Sequence, residues 1–514
     1  MLKARLLSAV CGASLAFGVP ALTAFAAEAA GAAGRQDASS QALEVLGLEN
    51  NPAVSWDSRD MEAGAHRFTN VRHEGPEGAV FSAATLVIDN PRMGEDGPIF
   101  DAARFSDLTL QADPAGAPIL VEEAVITAPS PALAQALSTA STEEGAEAAS
   151  QDIFQQPAGE MLISGLRIRT PADPETGTGE GAVAIERIFL TDGDGDGLAD
   201  MGLTNLSMQL AAPGAPPTRI SLESAQASEV LLEASGNGFN PAAFDPALLA
   251  QKSYDRLGVT NLVIEAGGVR LSMPALTSEM SALPDGALRT TADMPSFQVS
   301  VEPDADEQSA QVAAGLAMLG YEDLDLSYTA SYVYEPETDR LYTDGPNALT
   351  LRDGGTFDIR YDMTGVTDYV QSAVELEAET AGGQDPGSGV EIGEAEAMEL
   401  LSSMQLGGLS LSFEDAGLLE RGLTLFATQS GVDVATARAQ AVGMVALVSM
   451  GAGEALPPAV VAQMSQALTA FIQNGGRVEV GLQPEQPMGF MDMMTEEGGF
   501  DAEAAGLSFA HEAP

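Results

Sequence analysis

Apolar and polar residues alternate with a period of two along most of this chain, the spacing of a strand with one buried and one wet face. The alternation predicts strands at 85–89, 119–127, 183–190, 219–222, 297–301, 326–334, 357–363 and 477–482, with Pro, Gly and Asp clusters between them. A short pattern recurs inside it: apolar, small or polar, Asp/Asn/Gly, Leu, any residue, apolar. Copies start at Phe105 (FSDLTL), Ile163 (ISGLRI), Leu203 (LTNLSM), Val259 (VTNLVI), Tyr321 (YEDLDL) and Leu406 (LGGLSL), and Phe68-Thr-Asn-Val71 is a shortened first copy. Leu and the final apolar residue stand two apart, and the Asp, Asn or Gly before them tolerates turn or bulge geometry.

Period 3.6 appears less often. Asn240-Pro241 opens a helix predicted to about Leu257, and 310–319 reads as a helix stopped by Gly320. Three consecutive helices are predicted at 418–428, 433–450 and 457–473, with Asp433 and Pro457-Pro458 as starts and Gly431, Gly451 and Gly475-Gly476 as stops. The middle one is apolar nearly all round, which predicts burial. The fold class is therefore α+β and β-dominated. We expect an extended, twisted antiparallel sheet with a few covering helices and a C-terminal unit of three helices plus a strand. The expected organisation is an N-terminal segment with a short helix (27–64), a β-rich region (65–275), a second one (276–374), an acidic linker (375–396) and an α/β unit (397–514). The Ala/Ser/Thr/Glu-rich stretch 138–159 reads as a long loop.

The N-terminus changes the setting. A basic start (Lys3, Arg5), an apolar stretch from Leu6 to Leu22 and Ala24-Phe25-Ala26 form the pattern of a secretory signal peptide over 1–26. An exported, periplasmic or secreted chain with no transmembrane span after processing is expected. The sole cysteine, Cys11, falls inside that segment, so disulfides and thiolate chemistry are not expected in the mature chain. Formal net charge is −53, from 75 acidic and 22 basic residues, which disfavours nucleic acid and anionic headgroups as partners.

One constellation carries chemistry. Asp192, Asp194 and Asp196 alternate with glycines, Leu198 offers a carbonyl, and Asp200 follows. Carboxylates at positions 1, 3 and 5 of a tight loop converge on one point, as a Ca²⁺ ion with six to eight oxygen ligands needs. These nine residues resemble the calcium loops of integrin-type FG-GAP repeats and dockerins. That resemblance implies a structural calcium site formed by Asp192, Asp194, Asp196, Leu198 and Asp200. Leu203 occupies the position where an EF-hand needs Glu.

Other signals are weaker. His66 and His73 lack a third zinc ligand and read as surface or strand-edge residues. Met488, Met491, Met493 and Met494 suit a core better than Cu(I). Trp56 is the only tryptophan, so sugar-stacking platforms are scarce, and the common hydrolase and phosphate-loop motifs are absent. From Leu409 to Pro487 the order strand, three helices, Gly-Gly, strand resembles exported β-rich envelope proteins of Gram-negative bacteria, AsmA-like in texture. That resemblance implies a place in the envelope. A non-enzymatic binding or structural role is expected there, with a lipid, an apolar ligand or an envelope protein as partner, because a sheet with one apolar face must cover it. A calcium-stabilised adhesion or matrix protein and an unrecognised hydrolase are the alternatives.

Overall fold

The computed structural model describes residues 38–74, 80–94, 97–111, 116–129, 159–171, 179–191, 198–211, 216–231, 251–303, 307–381, 402–453, 456–493 and 500–514. The signal segment, the stretch 138–158, most of the linker 375–396 and Asp192, Asp194 and Asp196 lie outside them. The architecture is β-dominated α+β, as the alternation predicts. The chain divides into two units, the first reaching Ile264 and the second taking up from Glu265.

The strands of the first unit are β1 (Ser58–Glu62), β2 (Ala65–Glu74), β3 (Val80–Asp89), β4 (Ala102–Gln111), β5 (Ile119–Thr127), β6 (Glu160–Thr170), β7 (Gly181–Thr191), β8 (Leu198–Leu210) and β9 (Thr218–Leu231). Each of these pairs antiparallel with the next. β10 (Arg256–Ala266) follows, with the Asp255 amide donating to the Ser228 carbonyl at 2.9 Å. The short helix α1 (Ala38–Val45) buries Ala42 and Leu43. Leu43, Leu46 and Leu48 join one apolar core with Phe68, Phe81, Phe105, Ile126, Ile185 and Met208.

The recurrent hexamer marks a seam across this sheet. Asn70, Asp107, Gly165, Asn205 and Asn261 all have positive φ, between 49° and 67°. By register, Asn70 lies opposite Ala84, Ala84 opposite Asp107, Asp107 opposite Glu122, Glu122 opposite Gly165, Gly165 opposite Glu186, Glu186 opposite Asn205 and Asn205 opposite Glu223. Each strand reverses its pleat there, so buried residues stand three apart across the seam instead of two. Phe68 and Val71 are buried on β2, Ala83 and Leu86 on β3, Phe105 and Leu108 on β4, and Ile185 and Ile188 on β7. Because both partners skip together, the register is unbroken. The Asn205 amide donates to the Glu186 carboxylate and that of Asn261 to Glu223, while Asn70 Nδ2 reaches Asp57 Oδ2 at 2.7 Å.

The seam also corrects the reading of the histidines. Seven residues apart, His66 and His73 would point to opposite faces of an uninterrupted strand. The reversal at Asn70 turns both inward, and they are 3% and 9% exposed.

The second unit comprises β11 (Val269–Ala282), β12 (Leu288–Val301), helix α2 (Glu307–Met318), β13 (Leu324–Glu335), β14 (Arg340–Thr343), β15 (Ala348–Leu351), β16 (Gly355–Thr364), helix α3 (Val366–Ala381) and β17 (Gln405–Asp415). Helices α4 (Leu418–Ser430), α5 (Val434–Ala452) and α6 (Pro458–Asn474) and strands β18 (Arg477–Leu482) and β19 (Ser508–Glu512) complete it. β14 and β15 share one place between β13 and β16. Two hexamers depart from the pattern here. Tyr321 to Asp323 precede β13, because α2 has only just ended at Gly320 (φ 76°). At Leu406 the extra residue is Gly407, where the pairing with β16 shifts by one.

One helix expectation is shortened and another is overturned. The helix expected from Asn240 does not reach Leu257: the described residues 251–257 hold no helix and strand β10 starts at Arg256, while 240–250 lie outside the described residues. Helix α5 is not buried. It packs against α4 and α6 and buries only Ala437, Val445 and Ser449. A helix flanked by two others in one layer has a narrow contact stripe, whatever its composition.

Candidate functional site: the apolar face of the second unit

The alternation on β13, β15, β16, β17 and β18 collects apolar side chains on one face in rows that cross the strands. One row runs Tyr328, Leu349, Phe357, Phe413, Val478 and His511. Beside it run Ile359, Leu411, Val480 and Phe509, then Tyr361, Leu409 and Leu482. A row of Leu288, Tyr334, Leu341, Met363 and Leu406 closes the far side.

The opposite face is mostly polar, with Val333 buried beside Tyr342 as an exception. It carries ion pairs between Arg340 and Asp362 (2.7 Å) and between Arg360 and Asp358 (3.0 Å), and Ser410 Oγ donates to Glu479 Oε1 at 2.7 Å. A sheet so divided must cover its apolar side.

The cover is partial. Phe471 of α6 meets Phe413 edge-on, with ring centroids 6.0 Å apart. Met493 and Ala505 close over Leu406, with Met363, Met488 and Phe490 around them, so Met488 and Met493 fill core, while Met491 is 47% exposed and Met494 lies outside the described residues. Asp339, at φ 48°, anchors the start of α3. Its Oδ1 accepts from the Thr367 amide (3.0 Å), the Thr367 hydroxyl (2.7 Å) and the Tyr334 hydroxyl (2.9 Å). In the row of Phe413, at the other end of the strands from Leu406 and Asp339, Leu349 and Phe357 are each 43% exposed. Burial, and then the neighbouring Tyr332 and Tyr328 phenols, push the Tyr361 hydroxyl above its ordinary range, which marks three tyrosines gathered on this face. The arrangement offers a flat apolar and aromatic surface that suits an acyl chain or another elongated apolar group.

Leu349 and Leu351 belong to a four-residue strand that no sequence window flagged. Two alternating leucines were the only signal for it.

The five expected calcium ligands are not gathered by the described residues. Leu198 opens β8, and Asp200 Oδ1 accepts from the Glu229 amide at 3.0 Å. The other three lie outside the description. Among the described residues no group of three or more His, Asp or Glu side chains is placed to hold a metal.

A serine–histidine contact in the first unit has the wrong polarity for catalysis. Ser39 Oγ lies 2.7 Å from His66 Nε2, and Arg59 donates to His66 Nδ1 at 2.9 Å. Guanidinium has no acceptor, so Nδ1 must accept and Nε2 carries the proton. His66 therefore donates to Ser39 and has no lone pair for its proton. Arg59 also pairs with Glu49.

The model of a family described only as an uncharacterized protein matches residues 348–507, the stretch from β15 to just before β19 that holds most of this face. No curated protein and no solved structure matches the chain.

Proposed function

We propose that this is an exported, non-enzymatic envelope protein that holds an apolar or lipid ligand against the sheet of the second unit. The observation that carries the reading is the cross-strand apolar face whose outer row leaves Leu349 and Phe357 at 43% exposure. Exposed patches of large apolar residues commonly mark ligand or partner sites. The signal-peptide pattern and the acidic, cysteine-poor mature chain support the envelope setting.

Native mass spectrometry of the protein purified from its own host tests it. Bound mass in the lipid range is expected, lost in Phe357→Glu while the fold is kept. Ligand-free wild-type protein that also fails to take up a fluorescent acyl-chain probe would overturn the reading.

A secreted calcium-stabilised adhesion or matrix protein is the second reading. Residues 192–197 join two strands paired at Thr191 and Asp200, the strand–loop–strand setting that a D-x-D-x-D-G-x-x-D loop suits. Its test is thermal: calcium should raise Tm relative to chelator, and equal values in both would remove its support.

A further inference from the structure

We infer that the exposed face of α5 lies on a lipid bilayer with neutral headgroups and holds the second unit to that surface. Met444, Leu447, Val448 and Met450 are 53%, 68%, 60% and 75% exposed. On the C-terminal half of the helix these positions share one side, away from the buried Val445 and Ser449, whereas Ala437, two turns earlier and at nearly the angle of Met444, is buried, so the face opens only from Met444 onward. Four bulky apolar side chains so open to water are costly in a chain that has no shortage of polar residues.

Charge narrows the occupant to an uncharged apolar one. The chain carries 75 acidic residues, yet none falls within α5. Its one charged residue, Arg438, is turned to its neighbours: Nη1 donates to the Ile472 carbonyl and Nη2 pairs with Glu420. The exposed face is therefore neutral, which fits neither an acidic nor a basic partner.

A second copy fits poorly. Each copy carries a formal −53, and four side chains fall short of the ~800 Å² per partner of a standard interface.

Length and composition allow a crossing helix, about 28 Å long at 1.5 Å per residue. Packing against α4 and α6 and the anchoring of Arg438 hold it in its layer, so it meets the bilayer side-on. Unlike basic interfacial helices, it has no electrostatic attraction to add.

Flotation of the mature chain with phosphatidylcholine vesicles tests this. The protein should float, the bound fraction should be equal at low and high salt, and anionic lipid should weaken binding. Leu447→Glu with Val448→Glu should weaken it about tenfold or more. Both sites are exposed, so the fold should survive, as thermal melting checks. Phe357→Glu should float like the wild type, which separates this surface from the sheet face. Absence of flotation, flotation of the double variant at wild-type level, or a wild-type dimer dissolved by the same substitutions would each overturn it.

Discussion

Asp107 sits in the middle of β4 at φ 51°, a conformation that Gly accepts freely, Asn and Asp tolerate and β-branched residues resist. Asp107→Val should cost about 1–3 kcal/mol, and Asp107→Gly should be close to neutral, measured by urea unfolding. If both cost the same, the left-handed backbone is not what selects the third position of the hexamer. Phe68, fully buried in the core and edge-on to Trp56, should cost about 3–5 kcal/mol when cut to Ala. His73 gives the core a pH response. Burial holds its pKa below the ordinary value of 6.5, so the unfolded chain takes up the proton first. This contribution is intact above pH 6.5 and is lost as pH falls from there through the folded-state value. His73→Gln should flatten that part of the stability curve; an unchanged slope would show that His73 is not its source.

Among elements, the strands were the most readable from sequence, because alternation survives on both sides of the seam. The Asp/Asn/Gly preference pointed to special backbone at the right residues. The reversal itself was missed, since it needs the step of three from Phe68 to Val71 or Ile185 to Ile188 to be read together with its neighbours. Composition misled at α5, because an apolar helix and a buried helix are not the same thing. The face around Leu349 and Phe357 could not be read in advance, as only the register places those residues beside Phe413. The Gly475-Gly476 stop was legible as a helix end, but its close fit was not. A Cβ on Gly476 (φ 87°) would meet the Glu512 carbonyl and Pro514, 3.0 Å from its nitrogen. Gly476→Val should therefore loosen β19, seen as faster amide exchange over 508–512, while β6 and β7 keep their protection.

Across the whole chain, a formal −53 must repel itself, and the ion pairs that relieve it are mostly at the surface. Tm should rise as salt is added from low ionic strength, and a flat or falling Tm would count against self-repulsion as a main term. The seam of the first unit has a further consequence, for how such a chain can change length. Its strands come in two kinds, one with the left-handed residue and one with its outward-facing partner, and only unlike kinds lie side by side. Excising a single strand would set like against like. Excising the hairpin 160–191 would bring Glu122 opposite Asn205, a Glu–Asn pairing of the sort that Glu186 and Asn205 already make. The hairpin is thus the increment by which this sheet can be lengthened or shortened, and a chain lacking 160–191 should still unfold in one cooperative step.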